Sequence, residues 1–448
     1  MAHVLRAVLL VLMLSPAAAF GQSYSVAAPV PIQETGESAH SVALAAGQVL
    51  WMEDRGTGAA LVGAGADGVP HDILTLPPAA GAPRFTSVLA AGEEAFVQRV
   101  VCTDERCARN AAKDLLRVDL RTNAATPFDG CLGDAACLRC SSGTFHAVTL
   151  RGTVLTGRGR CGEQTGVIDL ADGTLRHLDG RVLDAAGPFA VTVDDIARRL
   201  TVSDWRTGLQ TTRAENVSLD PVTQEASLDA DGTVAWTQEG AVEVLAPGAS
   251  RPHEVRFASG DIDEARLAGG LLATRRTNYD FAGRLLVSAR DGTGARGVET
   301  QGGSFGWAFD GDRVAWVAQP CALPVIQVWD LASDPPPPAN ARCIRARIVS
   351  KALKLNRAAS RLPVKLSCPP SPARGCAGEL GADLFTGGHK LVETYWVQYR
   401  IPAGETRVET LRVLRHARLR GATRLTARVK IDNSSGFIHA ERLRVARR

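Results

Sequence analysis

Long apolar runs are missing from this 448-residue sequence: after the first 19 residues, none approaches the roughly 20 residues that a membrane-spanning helix needs. We therefore expect no integral membrane protein. The nine histidines form no H-x-x-x-H or H-E-x-x-H array, which excludes the common histidine-based zinc motifs. Aromatic residues make up only 5% of the chain, but 45% is hydrophobic and 22% is charged, which excludes disorder by composition. The length is sufficient for two or three domains.

The first 19 residues have the pattern of a signal peptide. Arg6 precedes eight apolar residues from Ala7 to Leu14, and Ser15, Pro16 and three alanines follow. Eight apolar residues are too few for a membrane anchor. We therefore predict cleavage near residue 19 and a secreted or extracellular protein, which could associate with the cell envelope.

The ten cysteines of an exported chain are expected to form disulfides, because export removes them from cytosolic thiol buffers. Two pairs are predicted from their short loops, Cys102 with Cys107 and Cys368 with Cys376. A third predicted pair, Cys321 with Cys343, brackets one strand and a proline run. The remaining four are Cys131, Cys137, Cys140 and Cys161, for which the sequence fixes no pairing. They could form two further disulfides or, with His146, a zinc site, although a second C-x-x-C is missing.

A degenerate internal repeat is the most informative signal in the first three quarters of the chain. Its clearest copies are DGTVAW at 231–236 and DGDRVAW at 310–316, and a second motif ends in Asp-Leu, as in QVWDL at 327–331. Anchor positions 49, 95, 154, 190, 234, 271 and 314 have a mean spacing of about 44 residues, the length of one four-stranded propeller blade. We predict a seven-bladed β-propeller over residues 25–333, with one or two β-sandwiches as the alternative.

These repeats resemble the blades of WD40-like and TolB-like β-propellers, in which an Asp-Gly turn leads into an apolar strand. Trp329-Asp330 is the one literal WD dipeptide. The resemblance implies a binding platform. Little chain follows the last repeat before the prolines, so we expect a stretch around Val26 to Ile32 to supply the outer strand of the last blade and remove an exposed edge.

Four prolines, Pro335 to Pro338, mark a linker over residues 334–340, and the charge balance changes after it. Residues 341–448 contain 23 Lys plus Arg against seven Asp plus Glu, a net charge of +16, whereas the preceding 340 residues carry −12. Apolar residues alternate with polar ones in the tail, for example from Leu425 to Ile431. Eight strands are predicted there, at 344–349, 352–355, 362–367, 379–385, 394–401, 407–414, 423–431 and 437–446. The segment resembles bacterial Ig-like β-sandwich domains.

Candidate catalytic motifs have simpler structural interpretations. Residues 302–306 fit G-x-S-x-G around Ser304, but no helical hydrolase domain follows, so we interpret the segment as a turn. Acidic clusters could bind calcium or act in glycoside hydrolysis, but they precede strands, where aspartate caps its own turn. These clusters are Asp194 with Asp195, Asp229 with Asp231, Asp261 to Glu264, and Asp310 with Asp312. Trp51, Trp236, Trp307 and Trp316 are expected to pack between blades. We therefore predict no catalytic, cofactor or metal site.

The sequence thus predicts an all-β, exported, non-catalytic binding or scaffold protein of the cell envelope. The propeller would be the interaction platform, and the basic sandwich over residues 341–448 would be the docking module. The expected partner is an unknown protein or an anionic envelope polymer, with no nucleic acid, no cofactor and a monomeric state. The alternative is a secreted lyase or glycosidase that uses carboxylates on one propeller face.

Overall fold

Strands make up nearly all the regular structure of the described chain. The computed structural model describes residues 23–27, 42–54, 58–78, 82–102, 110–128, 145–159, 165–219, 226–257, 262–277, 283–300, 306–318, 325–337, 346–370, 376–414, 416–419, 422, 424–433 and 437–447. Within these ranges there are 37 β-strands and one 3₁₀ helix, His416–Leu419. The predicted all-β class is confirmed. No helix in these ranges has the length and apolar composition needed to cross a membrane.

Seven four-stranded antiparallel sheets follow one another along the chain. The first contains β2 Val42–Ala45, β3 Gln48–Asp54, β4 Ala59–Ala64 and β5 His71–Leu76. The second contains β6 Ala82–Ala91, β7 Glu94–Cys102, β8 Asn110–Asp119 and β9 Ala124–Pro127. The third contains β10 Phe145–Arg151, β11 Val154–Gly159, β12 Thr165–Asp169 and β13 Thr174–His177.

The next sheets repeat this up-and-down order. The fourth contains β14 Arg181–Ala186, β15 Phe189–Asp194, β16 Arg199–Asp204 and β17 Gln210–Ala214. The fifth contains β18 Ala226–Leu228, β19 Val234–Gln238, β20 Ala241–Leu245 and β21 His253–Val255. The sixth contains β22 Glu264–Ala268, β23 Leu271–Thr277, β24 Gly283–Ala289 and β25 Arg296–Thr300.

The seventh sheet combines the two ends of this region. It contains β26 Trp307–Phe309, β27 Arg313–Ala318, β28 Val325–Asp330 and, on its outer edge, β1 Tyr24–Ala27. Strand β1 runs antiparallel to β28, with Tyr24 opposite Val328 and Ala27 opposite Val325. The prediction that an N-terminal stretch supplies the outer strand is confirmed for Tyr24–Ala27, while residues 28–32 of that stretch lie outside the described residues.

Both sequence motifs have defined places in the sheets. All seven anchor positions fall in the second strand of a sheet, from Val49 in β3 to Val314 in β27. The Asp-Leu motif ends the third strand, where the aspartate caps the following turn: the backbone N–H groups of Arg121 and Thr122 donate to Asp119, and that of Ala332 donates to Asp330. The repeat is therefore a strand pair with a capped turn.

The sheets pack face to face in chain order. Their first strands, β2, β6, β10, β14, β18, β22 and β26, contact one another in succession, and β26 also contacts β2. Each of the seven adjoining pairs of sheets encloses its own cluster of buried apolar side chains. Along β3, Val49 and Trp51 pack towards the seventh sheet, while Leu50 and Met52 pack towards the second, because successive side chains point to opposite faces. Because both faces of such a strand are buried, its sequence is a continuous run of apolar residues.

The remaining chain forms two further sheets. One contains β29 Arg347–Ile348, β31 Arg361–Ser367 and β35 Thr406–Arg412. The other contains, in order across the sheet, β30 Ala352–Leu355, β37 Phe437–Arg447, β36 Leu425–Asn433, β32 Cys376–Thr386 and β33 His389–Glu393, with β34 Val397–Ile401 also paired to β32. Eight of these nine strands overlap the eight predicted ones one for one, although β29 is shorter than predicted, and β33 was not predicted.

One apolar core joins these two sheets, formed by buried side chains between Ala346 and Val445. Leu362, Val364 and Leu366 supply it from β31, and Leu425, Ala427 and Val429 supply it from β36. A disulfide links Cys368 to Cys376, as predicted, with 5.5 Å between their Cα atoms. Of the other predicted pairs, Cys102 ends β7 but its partner Cys107, Cys321 and Cys343 lie outside the described residues, as do Cys131, Cys137, Cys140 and Cys161.

Candidate binding face of the C-terminal domain

The acidic clusters that the sequence singled out do not converge on a common site. Asp194 accepts hydrogen bonds from the backbone N–H groups of Ile196 and Ala197, and Asp195 forms an ion pair of 2.8 Å with Arg181. Asp310 caps its own turn through the N–H groups of Asp312 and Arg313. The turn interpretation of these aspartates is thus supported by their hydrogen bonds.

Asp229 and Asp231 share one arginine from the next sheet. The Arg290 guanidinium lies 2.6 Å from a carboxylate oxygen of each. Burial acts to raise the pKa of Asp229, but hydrogen bonds from the Gly270 and Ala230 N–H groups and from Arg290 outweigh it, so its pKa is lowered. This cluster fastens the fifth sheet to the sixth. Asp261 lies outside the described residues, and Glu264 is engaged by Arg275 and by the indole N–H of Trp307.

Arg151 forms a second tie between sheets, at the end of β10. Its guanidinium donates to Asp184 in β14 (3.2 Å), to the Ser227 hydroxyl in β18 (2.9 Å) and to the Leu267 carbonyl in β22 (2.9 Å). One side chain of the third sheet therefore contacts the first strands of the next three sheets. These hydrogen bonds tie four successive sheets together.

Six of the seven tryptophans are buried, with at most 2% of their surface exposed: Trp51, Trp205, Trp236, Trp307, Trp316 and Trp329. The burial of Trp51, Trp236, Trp307 and Trp316 agrees with the expectation that the tryptophans of the repeats pack between sheets. The seventh, Trp396, is 44% exposed and lies between β33 and β34 of the six-stranded sheet, beside Tyr395, which is 51% exposed. Ser304 and the metal-site candidates Cys137 and Cys140 lie outside the described residues, and the side chain of His146 is likewise not described.

The outward surface of the six-stranded sheet is rich in arginine. In one row across the strands Arg442 lies opposite Arg428, which lies opposite Asp383 and then Glu393. Arg444 and Phe385 belong to the adjoining row. We call the surface formed by Lys354, Arg428, Lys430, Arg442 and Arg444 the basic face; these residues alternate along their strands with side chains of the core.

The basic face concentrates like charges. Arg428 and Arg442 are directly opposite each other on neighbouring antiparallel strands, an arrangement that destabilises a sheet. Arg442 also lies over the Phe385 ring, with 5.9 Å between the guanidinium carbon and the ring centroid. Among the described residues, no carboxylate forms an ion pair with Arg428, Arg442 or Arg444. All three arginine side chains are exposed to solvent.

A pocket of about 250 Å³ opens at the end of the basic face. It is lined by Ala382, Asp383, Glu393, Thr394, Tyr395, Trp396, Leu414 and Lys430. Carboxylate, ammonium and hydroxyl groups thus surround one exposed indole and one exposed phenol. The pocket thus combines an aromatic surface with charged groups in its lining.

Hydrogen bonds hold the backbone that carries the two aromatic residues. Thr394 donates its N–H to the Ala382 carbonyl (2.9 Å), and its buried hydroxyl accepts the Ala382 N–H (2.8 Å). On the other side Tyr395 donates its N–H to the Arg412 carbonyl (2.9 Å). The segment between β33 and β34 is therefore fixed to β32 and to the end of β35. This anchoring gives Tyr395 and Trp396 a defined position before any ligand binds.

Gly381 provides the surface on which Trp396 rests. A Cβ atom at Gly381 would lie 2.8 to 3.0 Å from Cδ2, Cε2 and Cε3 of the indole, which is too close for any larger residue. Because three ring atoms are almost equally distant from that point, the ring lies flat over the strand. One face of the indole is thus covered by β32.

Two lysines neutralise the buried carboxylate in the pocket. Asp383 is 7% exposed and accepts from Lys430 (2.6 Å) and from Lys390 (2.9 Å). Burial acts to raise the pKa of Asp383, but the hydrogen bonds from Lys430 and Lys390 outweigh it, and the pKa is lowered. Hydrogen bonds to Glu393 and Asp383 raise the pKa of Lys390. Asp383 and Lys390 are therefore charged at neutral pH.

Sequence reasoning identified the basic tail but missed its aromatic pair. Tyr395 and Trp396 fall inside a predicted strand at 394–401, where they look like core residues. In the structure they lie in the short connection between β33 and β34. The available signal was that Trp396 is the only tryptophan outside the repeats. The spacing of the repeats, which predicted the seven sheets, gives no information about the position of Trp396.

Comparison with known proteins yields structural likeness only. No protein-family profile and no curated protein sequence matches the chain. A crystal structure of the mitotic checkpoint complex is similar with a TM-score of 0.43 and 12% identity, over 75% of this chain and 100% of that one. The RRP9 WD40 repeats give 0.41 and 12%, over 68% and 99%. The extracellular domain of a putative one component system, BT4673 from B. thetaiotaomicron, gives 0.36 and 13%, over 96% and 58%. Because these TM-scores are below 0.5, we base no inference on them.

Proposed function

We propose that this is an exported, non-catalytic binding protein that docks on an anionic polymer of the cell envelope through its C-terminal domain. In this proposal residues 1–19 are a signal peptide, and residues 25–333 form a seven-bladed β-propeller that serves as the interaction platform. Residues 334–340 form the linker, and residues 341–448 form the Ig-like docking sandwich. The closed succession of seven four-stranded sheets supports the propeller interpretation.

The observation that carries the docking role is the basic face. Three arginines without a carboxylate partner among the described residues, two of them directly opposite each other, cost folding energy unless an anion compensates them. The three-stranded sheet is also basic, with Arg361 opposite Arg412. There Arg412 lies over the Tyr395 ring, 5.7 Å from its centroid, much as Arg442 lies over Phe385. The basic face is distinguished by three arginines on neighbouring strands next to a pocket, none of them paired with a carboxylate among the described residues.

A non-catalytic role is supported by the engagement of the acidic clusters. The carboxylates at Asp194, Asp229 and Asp310 cap turns or pair with arginines. A hydrolase of the glycosidase type needs two carboxylates flanking one bond, roughly 5 to 10 Å apart and free to exchange protons. The carboxylate pairs that lie close together among the described residues share a cation: Asp229 and Asp231 share Arg290, and Asp383 and Glu393 share Lys390.

The experiment uses the full-length protein on matrices carrying polygalacturonate, polyglutamate or uncharged dextran. We expect retention on both anionic matrices at about 0.1 M salt and release at about 1 M, because the screening length falls from roughly 10 Å to roughly 3 Å. Uncharged dextran should retain little protein. Equal, salt-insensitive retention on all three matrices, or no retention on any, would contradict the proposal. The absence of retention on all three matrices is the result expected if the acidic first 340 residues cover the basic face.

A further inference from the structure

The pocket next to the basic face has the features of a saccharide site. Sugar rings have an apolar face that packs on aromatic rings and a rim of hydroxyl groups that form hydrogen bonds. Trp396 and Tyr395 offer exposed aromatic surface, and the lining also contains the Asp383 and Glu393 carboxylates and the Lys430 ammonium. Acceptors and donors therefore lie around an aromatic surface in a volume of about 250 Å³.

The aromatic surface is already in place without a ligand. The Trp396 ring is stacked flat over Gly381, so its remaining face is the one directed away from β32. Hydrogen bonds of Thr394 and Tyr395 fix the backbone on either side. Binding to a surface that is already ordered costs less conformational entropy. A polymer that makes few contacts through each of its units can therefore still bind.

Neighbouring cations indicate which sugars fit. Lys430 lies directly opposite Gly381 on β36, where its ammonium pairs with Asp383, and Arg428 lies two residues before it on the same face. Arg442 lies opposite Arg428 on β37. Positive charge therefore extends from the pocket along the basic face, as a chain of negatively charged sugar units would require.

We propose that the pocket binds one uronic-acid unit of an acidic polysaccharide, with the sugar ring on Trp396, and that the chain continues along the basic face. This inference rests on the proposed docking function and names its ligand class. A polyanion without sugar rings would use the basic face alone. The two can therefore be separated by comparing a sugar polyanion with a peptide polyanion.

Trp396 supplies a direct optical test in the unmodified full-length protein. The other six tryptophans are at most 2% exposed, so acrylamide should quench mainly Trp396. We expect tetragalacturonate to protect this fluorescence from quenching, whereas galactotetraose, its uncharged counterpart, protects much less. Unchanged quenching at tetragalacturonate concentrations that saturate binding would overturn the saccharide site. This test does not depend on the folding of any variant.

Variants separate the saccharide site from general electrostatic docking. We expect Trp396→Ala to weaken polygalacturonate binding about tenfold and to leave polyglutamate binding nearly unchanged, with Trp396→Phe retaining part of the affinity. The matched control is Val408→Ala, which removes an exposed apolar side chain from the three-stranded sheet. If every variant bound polygalacturonate and polyglutamate as tightly as the wild type does, the saccharide inference would be wrong and the docking function would stand. Failure of the wild type to bind either polyanion would reject the docking function itself.

Discussion

Asp383 is the most enclosed charged group of the pocket and shows how a single residue organises it. Its carboxylate lies between the ammonium groups of Lys390 and Lys430. Gly381, two residues earlier in the same strand, is the residue on which the Trp396 ring packs. A buried carboxylate is costly unless it is paired and hydrogen-bonded, and the two lysines supply that pairing. The same lysines are thereby held at the edge of the basic face.

We predict that Asp383→Asn lowers the free energy of unfolding at neutral pH by about 1 to 3 kcal/mol, because it removes two charge-assisted hydrogen bonds. The pKa of Asp383 is lowered from its ordinary value of 3.8. A lowered pKa gives stability that is present above the ordinary value and is lost as the pH falls through the lower, folded-state value. Denaturant titrations at several pH values should therefore show the two proteins converging below about pH 4.

The control for this prediction is Glu379→Gln, which changes an exposed carboxylate on the same strand. It should alter stability by no more than about 0.5 kcal/mol at any pH. A difference between wild type and Asp383→Asn that stays constant down to the lowest pH would contradict the assigned role.

Among the elements, β1 has the largest consequence for the architecture, since four residues near the start of the chain complete the seventh sheet. Val26 is fully buried opposite Ile326, among apolar side chains of the first and seventh sheets, while Ser25 on the same strand is exposed. The strand covers the edge of β28, which would otherwise present unpaired backbone groups.

We predict that Val26→Asp destabilises the protein by about 2 to 4 kcal/mol, because it places an unpaired charge in the core between these two sheets. Ser25→Asp introduces the same side chain one residue away, where it reaches solvent, and should leave stability nearly unchanged. Thermal unfolding followed by circular dichroism measures both. Similar melting temperatures for the two variants would show that β1 is not packed as described.

The strands themselves could be predicted, because their signals are local. The second-strand anchors, such as Val234 and Val314, combine an apolar run with an Asp-Gly turn, and both features are set by neighbours in sequence. Contacts between sheets could not be predicted in this way. Arg151 reaches the Leu267 carbonyl, 116 residues away, and no local pattern indicates which sheets meet.

The binding face was predictable only in outline. Alternation from Leu425 to Ile431 correctly placed Arg428 and Lys430 on one side of a strand, because the period of two is a property of the backbone. The position of Trp396 depends on the hydrogen bond that the Tyr395 N–H donates to the Arg412 carbonyl and on the missing side chain at Gly381. These are features of tertiary packing that composition and spacing do not contain.

At the scale of the whole molecule, the described residues divide into separate apolar cores. One cluster contains only residues between Ala346 and Val445, and the other seven contain only residues between Val26 and Trp329. Charge divides similarly, with −12 in the first 340 residues and +16 in the remainder. We therefore expect the two parts to unfold in separate transitions.

The disulfide tests this separation. Cys368 and Cys376 are eight residues apart in the chain, and opening so short a loop is expected to cost about 2 to 3 kcal/mol. We predict that the double variant Cys368→Ala/Cys376→Ala lowers one calorimetric transition and leaves the other unchanged. Movement of both transitions together would show that the two parts unfold as one cooperative unit.

The central claim, that the basic face docks the protein on an anionic polymer, is tested most directly by two charge-matched triple variants of the full-length protein. Arg428→Gln/Arg442→Gln/Arg444→Gln changes the basic face, and Arg347→Gln/Arg361→Gln/Lys365→Gln removes three exposed charges from the three-stranded sheet. The measurement is the affinity for polygalacturonate at about 0.1 M salt. Three surface charges at about 0.5 kcal/mol each predict a loss of about tenfold for the first variant and little change for the second. Equal losses in the two variants would contradict the claim, because binding would then follow net charge and not this face.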